Sequence, residues 1–258
     1  MEDRQFTYYG TSDTGCSRTQ NEDCYLCNPE EKLFLIADGI GGHSWGEIAS
    51  KTAINNIEEF VIRSRSEDLT WPIPYRKELS PEQNRLLAAA FLANHKIRGL
   101  ASQNPSMKGM GTTLVGCIIE GNLLAVINIG DSRLYRIRDN HLEQMTKDHT
   151  IAGVMERMGL LTKEEASCNP QKHILTSALG IEPLENIKVD IFPAEIREND
   201  LYLLCSDGLY DMLGDGEILQ AIRSVRTEPL ETMGIHLIEK ANLAGGEDNI
   251  TVILISFN

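Results

Sequence analysis

Apolar residues recur along this chain in short runs, and the segments between the runs are rich in glycine, proline, asparagine and aspartate. Short apolar runs bounded by turn-forming residues are typical of β-strands. Three of the runs lead directly into short turns, and turns this short join only antiparallel neighbours. The pattern therefore argues against a doubly wound parallel sheet. The predicted strands are 23–27, 32–37, 113–120, 123–129, 133–138, 187–192, 201–205 and 250–257, with turns at 28–31, 120–122 and 139–140.

Other segments show the spacing of helices. Apolar positions recur every three or four residues over 45–63. A second helix begins after Ser80, because Pro81 suits the first helical position and Gln83 completes a capping box with the serine. Further helices are predicted after the capping box of Thr162 and Glu165, over 215–225 and over 229–243. Strands in hairpins with segregated amphipathic helices predict an α+β layered fold.

Composition and charge narrow the class of protein. The 258 residues are 41% hydrophobic and 24% charged, which is ordinary for a globular chain and predicts one domain over 1–258. The net charge of −14 disfavours binding to nucleic acid or to an anionic membrane surface. Residues 1–10 do not resemble a signal peptide, and no apolar stretch is long enough to span a membrane. We therefore expect a cytoplasmic monomer.

Six cysteines are too few for a disulfide scaffold. Cys24 and Cys27 form a single CxxC pair, with no second pair and no nearby histidine. A zinc or redox role is open for this pair, and two ordinary strand residues are the alternative that we favour.

Aspartates stand where the apolar runs begin or end. Asp38, Asp131 and Asp207 each follow a strongly apolar run, and Asp248 comes just before the last one. A single Asp-Gly after a strand usually marks a turn, but four acids so placed can converge on one cleft if the strands pair in sheets. Convergent carboxylates repel each other unless a cation lies among them. Without a histidine cluster, such oxygen ligands favour Mg²⁺, Mn²⁺ or Ca²⁺ over zinc, and the EF-hand pattern is absent.

The segment Arg18 to Asp23 adds a guanidinium a few residues before two further acids, Glu22 and Asp23. At the surface this would be an ordinary ion pair. Beside a metal cleft, the planar fork of an arginine matches two oxygens of a phosphate group. Two divalent ions can activate a water and neutralise a phosphoryl group, so the acids and the arginine together predict phosphate chemistry.

The ordered motifs resemble those of the metal-dependent serine/threonine phosphatases of the protein phosphatase 2C family, in its bacterial form. The resemblance covers about residues 13–255. In family order the chain carries Arg18-x-x-Asn21-Glu22-Asp23, Asp38-Gly39-Ile40-Gly41-Gly42-His43, Gly111-Thr112-Thr113, Gly130-Asp131-Ser132-Arg133, Ser206-Asp207-Gly208 and Glu247-Asp248-Asn249-Ile250-Thr251-Val252.

The resemblance implies a fold and a set of site residues. The fold is a four-layer α-β-β-α sandwich of two central antiparallel sheets flanked by helices, with a flap at about 148–175 over a metal cleft. The implied catalytic residues are Arg18, Asp38 and Asp207, with Arg18 binding the substrate phosphate. The implied ligands of two tight Mn²⁺ or Mg²⁺ ions are Asp38, the Gly39 carbonyl, Asp207 and Asp248, and Asp131 joins Asp207 at a third, weaker ion. Glu22, Asp23, His43 and Asn249 are expected to support these ligands or a metal-bound water.

The implied activity is hydrolysis of phosphoserine and phosphothreonine in phosphoproteins, opposing serine/threonine kinases in signalling. Three positions depart from the family pattern or leave a role open. Ile40 replaces a methionine, Ser177 replaces an arginine, and His43 is offset from the histidine that animal enzymes use as a general acid. His149, after Asp148, is expected to be a turn residue.

Two other classes of protein remain open. A regulatory module could keep this fold without catalysis, but such a module is expected to lose metal-binding acids, and all four are present. A calcium-binding structural protein is the third alternative. Covalent phosphatase mechanisms are disfavoured, because the Asp-x-Asp element is absent around Asp38 and no Cys-x5-Arg loop occurs.

Overall fold

The structure, a computed structural model, describes residues 5–41 and 45–257. Within these ranges the strands are β1 (Phe6–Asp13), β2 (Asp23–Asn28), β3 (Leu33–Ile40), β4 (Gly111–Thr112), β5 (Leu114–Glu120), β6 (Leu123–Ile129), β7 (Arg133–Arg138), β8 (His141–Gln144), β9 (Asp190–Glu195), β10 (Leu201–Cys205) and β11 (Ile250–Phe257). The helices are α1 (Trp45–Ser66), α2 (Pro81–Gln103), α3 (Ile151–Arg157), α4 (Lys163–Ser167), α5 (Asp207–Tyr210), α6 (Asp215–Ser224) and α7 (Leu230–Leu243), and single 3₁₀ turns occur at Pro105–Met107 and Leu184–Asn186.

The strands form two sheets in which the paired strands are antiparallel. One sheet has the order β1-β11-β10-β7-β8, and the other has the order β2-β3-β5-β6-β9, with β4 paired to β3. Helices α1 and α2 pack on the outer face of the second sheet, and α6 and α7 pack on the outer face of the first. The predicted α+β four-layer sandwich is confirmed.

Three apolar cores separate the four layers, and this explains why the strands are apolar on both faces. In β3, Leu33 and Leu35 pack toward the helices α1 and α2, while Phe34 and Ile36 pack between the two sheets. All four side chains are fully buried. A strand that is covered on both faces shows a continuous apolar run rather than alternation, as the sequence of β3 does.

The structure confirms the predicted turns. The turns at 28–31, 120–122 and 139–140 join β2 to β3, β5 to β6 and β7 to β8. In the last of these, Asp139 and Asn140 both have positive φ, 48° and 64°, as a two-residue type I′ hairpin turn requires.

Four strands differ from the predictions: the two-residue strand β4 was missed, and the other three lie at the edges of sheets. β1 and β8 were missed, because each lies at a sheet edge with many half-exposed or exposed polar residues. The run predicted at 187–192 lies three residues too early, since β9 is Asp190–Glu195. Edge strands pair on one side only, so their apolar signal is weak.

The helix predictions hold, and both capping boxes are present. The Ser80 hydroxyl accepts from Gln83 N while the Gln83 side chain accepts from Ser80 N, and Thr162 and Glu165 repeat this arrangement. None of the helices in the described ranges is both long and apolar enough to cross a membrane.

The CxxC pair behaves as two ordinary strand residues. Cys24 packs toward the helix-side core, whereas Cys27 packs toward the core between the sheets. The two thiols therefore face opposite sides of β2 and form no joint metal site.

Candidate metal centre

Acidic side chains from five separate segments line one cleft of about 630 Å³ at the end of the sandwich. Each segment lies where a strand begins or ends, as the sequence predicts. Eight of the ten predicted site residues line this cleft: Arg18, Glu22, Asp38, Gly39, Asp131, Asp207, Asp248 and Asn249. Of the other two, Asp23 lies outside the lining, and His43 falls outside the described residues.

Hydrogen bonds from the Gly-Thr-Thr motif fix the backbone of Asp38. The Asp38 N–H donates to the Thr113 hydroxyl at 3.0 Å, and its carbonyl accepts from Thr113 N at 2.9 Å and from the Thr112 hydroxyl at 2.8 Å. The Thr113 hydroxyl also lies 2.7 Å from the Ser132 hydroxyl, beside Asp131. Two short motifs thus hold the segments of two predicted ligands in one rigid network.

A close backbone approach holds Gly39 against the start of α1. The Gly39 N–H donates to the Glu22 carbonyl at 3.2 Å, and the Gly46 backbone hydrogen-bonds the Glu22 carboxylate. A β-carbon built on Gly39 would lie 2.2 Å from the Gly46 carbonyl oxygen, far inside van der Waals contact. Glycine at this position therefore lets α1 begin directly beside the cleft.

Asp23 joins the two sheets beneath the cleft. Its Oδ2 accepts hydrogen bonds from the Ser206 hydroxyl at 2.7 Å and from the Thr251 hydroxyl at 2.6 Å. Ser206 directly follows β10, and Thr251 lies in β11, so both come from the side of the opposite sheet. Asp23 is buried, and this burial raises the pKa of its carboxyl to about 6. These contacts link the start of β2 to the segments that carry Asp207 and Asp248, and in this way Asp23 can support the predicted ligands.

Asn249 holds the segment that carries Arg18. Its side-chain amide donates to the carbonyls of Thr14 and Gln20, both at 2.9 Å, and its Oδ1 accepts from Glu22 N at 2.8 Å. Arg18 reaches the rim of the cleft, where its Nη2 donates to Asp248 Oδ2 at 2.7 Å. The Arg18 side chain lines the cleft and is 52% exposed.

The carboxylates of the cleft are held in an environment that disfavours their charge. Burial, and then the neighbouring acids, raise the pKa values of Asp38 and Asp207 well above the usual range. Burial raises the pKa of Asp131 to about 7, with Asp148 the next cause. The buried Asp207 Oδ1 has no hydrogen-bond partner among the described residues. Crowded oxygens with an unused lone pair suit a hard divalent cation, so the residues present fit the predicted Mn²⁺ or Mg²⁺.

These pKa values predict how pH affects the metal-free protein. The pKa values of Asp23 and Asp131 rise from 3.8 to about 6 and about 7 on folding, so the folded state holds protons that the unfolded state has released. The protons on these two carboxyl groups stabilise the folded state. Their contribution to the free energy of unfolding is complete below about pH 4 and is lost as the pH rises through about 7. We expect the melting temperature in EDTA to fall from about pH 5 to about pH 8, and saturating Mn²⁺ to reverse most of the fall. A melting temperature that rises over this interval in EDTA would contradict the prediction.

Three residues at the mouth of the cleft were not predicted: Asp211, Lys172 and His173. Asp211 lies four residues after Asp207, a helical spacing that places both on one face and that the sequence could have revealed. Its carboxylate pairs with Lys172 Nζ at 2.9 Å and with His173 Nδ1 at 3.3 Å. One ligand atom from each of His173, Asp207 and Asp211 lies within 4.8 Å of the others.

The prediction that His149 is a turn residue was wrong. Its side chain is fully buried, its Nδ1 accepts from Gly130 N at 3.2 Å, and its Nε2 lies 3.0 Å from Asp190 Oδ2. The His149 N–H also donates to the Gly130 carbonyl at 2.9 Å. His149 therefore clamps the residue that precedes Asp131. Ser177, where the family pattern has an arginine, is also buried, and its hydroxyl accepts from Lys188 N at 2.9 Å.

Comparison with known proteins agrees with this arrangement. The family model described as Protein phosphatase 2C matches residues 7–158. The serine/threonine phosphatase stp of Listeria welshimeri is 35% identical over 255 residues, which cover 96% of this chain and 94% of that protein. The crystal structure of the Mycobacterium tuberculosis serine/threonine phosphatase PstP/Ppp superposes with a TM-score of 0.82 at 34% identity, covering 97% of this chain and 98% of that one. A structure of the PstP catalytic domain in complex with two manganese ions has a TM-score of 0.81 at 34% identity, covering 98% of each chain.

Proposed function

Since this chain belongs to the protein phosphatase 2C family, we propose that the acidic cleft is the place where it hydrolyses phosphoserine and phosphothreonine in proteins. The chain is a metal-dependent serine/threonine phosphatase, and its cofactor is Mn²⁺ or Mg²⁺. The observation that supports the location best is the convergence of four strand-end aspartates, with an unpartnered Asp207 oxygen among them. The activity requires no cluster of acidic side chains besides this one.

The four aspartates have separate roles in this proposal. Asp38, the Gly39 carbonyl, Asp207 and Asp248 hold two ions, and Asp131 shares a third, weaker ion with Asp207. When bound, the two ions lower the pKa of a water toward ~7 and neutralise charge on the phosphoryl group. The chain supplies rigidity, because Asp38 is fixed by its backbone hydrogen bonds to Thr113 and so keeps its place when the ions bind. Asp23, Glu22 and Asn249 support the ligands through the contacts described above.

Arg18 is the substrate-binding residue of the proposal. It is the one guanidinium among the described residues that line the cleft, and only its Nη2 is engaged, by Asp248. The remaining donors of its planar fork can reach two oxygens of a phosphate at the rim. In the transition state these donors stabilise the equatorial oxygens of the phosphoryl group.

Replacing Arg18 tests this role. Arg18→Ala should raise KM for a phosphothreonine peptide about tenfold or more, since a charged hydrogen bond to phosphate is worth about 1.5–3 kcal/mol. Arg18→Lys should recover only part of the loss, because a point charge does not reproduce the fork. Steady-state kinetics at saturating Mn²⁺ measure both variants, and unchanged constants in Arg18→Ala would exclude the assignment.

The segment 148–175 forms the proposed flap. It carries the short helices α3 and α4, and the bridge between Thr150 and Leu175 joins its two ends. It presents Met158 and Leu160 to solvent at 70% and 67% exposure. The flap reaches the cleft through Lys172, His173 and Leu175, and its exposed apolar side chains suit contact with a protein substrate. The flap, the cleft and both sheets belong to one domain in this proposal.

The partners, the compartment and the oligomeric state belong to the same proposal. Its partners are phosphorylated proteins, and in signalling it opposes serine/threonine kinases. All six cysteines are free, which suits a reducing compartment such as the cytoplasm. Each chain contributes a complete set of the proposed ligands to its own cleft, so a monomer is sufficient for activity.

Release of inorganic phosphate from a phosphoserine or phosphothreonine peptide tests the proposed function. The enzyme should release phosphate with Mn²⁺ or Mg²⁺, and EDTA should abolish the release. Absence of release with every metal would favour a regulatory module. Binding of Ca²⁺ without any release in Mn²⁺ would favour a calcium-binding structural protein. Release that is unaffected by EDTA would exclude the metal centre.

A further inference from the structure

One histidine at the mouth of the cleft has no role in the function proposed so far. His173 lies near the end of the flap and is the one histidine among the described residues that line the cleft. Its side chain is 53% exposed, and its Nδ1 lies 3.3 Å from Asp211 Oδ2. With Nδ1 next to this carboxylate, Nε2 is the second ring nitrogen of a side chain that lines the cleft.

The reaction requires a proton donor at this place. When the bond between phosphorus and the seryl or threonyl oxygen breaks, the electron pair stays on an alkoxide, which is a strong base. A positioned acid that protonates the alkoxide as it forms typically contributes 10²–10⁴-fold to the rate. Histidine is the side chain that most often serves as a general acid near neutral pH.

Several other polar side chains at the cleft suit this role less well. The four aspartates serve as ligands, and Arg18 remains protonated at any working pH. Lys172 is held by its ion pair with Asp211 Oδ1 at 2.9 Å, and an ammonium group is in general a weaker acid than an imidazolium. Ile40, directly after the Asp-Gly pair, has no proton to give.

We propose that His173 is the general acid of this phosphatase and that Asp211 is its positioning residue. As water attacks phosphorus and the bond to the substrate oxygen breaks, the proton on His173 Nε2 passes to that oxygen and the alcohol leaves. The attacking water releases one proton to solvent and supplies the new P–O bond, inorganic phosphate departs, and His173 regains a proton from solvent. Asp211 orients the ring through Nδ1, as a carboxylate orients the imidazole in other acid–base pairs. This inference rests on the proposed phosphatase function.

Comparison of two substrates tests the inference, because the need for an acid depends on the leaving group. The leaving group of a phosphoserine peptide is a strongly basic alkoxide, whereas that of p-nitrophenyl phosphate is a weakly basic phenolate. His173→Ala and His173→Gln should each lower kcat for the peptide about 10²-fold or more, and kcat for p-nitrophenyl phosphate less than about threefold. Asp211→Asn should show the same selectivity with a smaller loss.

Two measurements separate proton donation from other roles. Lys172→Ala is the control, because it removes the other ion pair between the flap and Asp211. Any effect of this variant on kcat should be equal for the two substrates. Titration calorimetry with Mn²⁺ should give the same affinities for His173→Ala as for the wild type. Equal losses on both substrates together with weaker Mn²⁺ binding would make His173 a metal ligand and overturn the inference. Unchanged kcat on both substrates would also overturn it, while a wild type inactive on both would overturn the proposed function itself.

Discussion

Asp207→Ala should abolish measurable turnover. Asp207 is the acid expected to touch both the tight pair of ions and the weaker third ion. Its loss should therefore exceed the ~10²–10³-fold reduction seen when a single transition-state-stabilising group is removed. In calorimetric titration with Mn²⁺, at least one of the tight binding events should weaken or disappear.

The same substitution should have the opposite effect on the metal-free protein. Asp207 is crowded by other carboxylates, above all Asp131, and its own Oδ1 has no hydrogen-bond partner. Removing one of several mutually repelling acids should raise the melting temperature in EDTA. Loss of activity with a gain of stability in EDTA is not expected from a misfolded variant.

Asp131→Ala is the matched control. It removes a buried acid from the same cleft but is expected to affect only the weak third ion. Tight Mn²⁺ binding should persist while turnover falls. If Asp131→Ala loses the tight sites and Asp207→Ala keeps them, the assignment of ligands is wrong.

Gly39→Ala should destabilise the fold by about 3 kcal/mol, at the upper end of what overpacking usually costs. The added β-carbon would lie 2.2 Å from the Gly46 carbonyl oxygen and 2.7 Å from the Glu22 carbonyl oxygen. Both neighbours are backbone atoms, so the clash cannot be relieved by turning a side chain. Either β3 or the start of α1 has to move. Urea denaturation in EDTA measures the free energy of unfolding without a contribution from bound metal.

Gly99→Ala is the control for this prediction. Gly99 lies inside α2, and a β-carbon added there would meet no atom within 4 Å. Alanine should therefore raise the free energy of unfolding by about 0.5–1 kcal/mol, the helix-propensity difference between the two residues. Equal effects of the two substitutions would show that the close approach at Gly39 is not maintained in solution.

The sequence revealed the acids of the cleft because their signal is local. Asp38, Asp131, Asp207 and Asp248 each lie at or near the end of a buried strand. Pairing of those strands within the two sheets, and packing of one sheet on the other, brings the four acids together. The helices could be predicted from the sequence equally well, because capping boxes such as that of Ser80 lie within a few residues of the helix that they begin. Edge strand β1 lacks such a signal, because much of its surface stays in contact with solvent.

Roles that depend on distant partners could not be predicted from residue order. Asp23 accepts hydrogen bonds from Ser206 and Thr251, which lie 183 and 228 positions away, and nothing near Asp23 in the sequence indicates either partner. His149 was taken for a turn residue because it follows Asp148, whereas its side chain is buried between Gly130 and Asp190. The contacts of His173 with Asp211 likewise appear only when the flap meets the cleft.

The number of tightly bound Mn²⁺ ions per chain tests most directly whether the four aspartates form one binuclear centre. Titration calorimetry on the wild-type protein, stripped of metal with EDTA and then freed of the chelator, should show two tight binding events per chain and a weaker third. A single tight event, or none, would contradict the account.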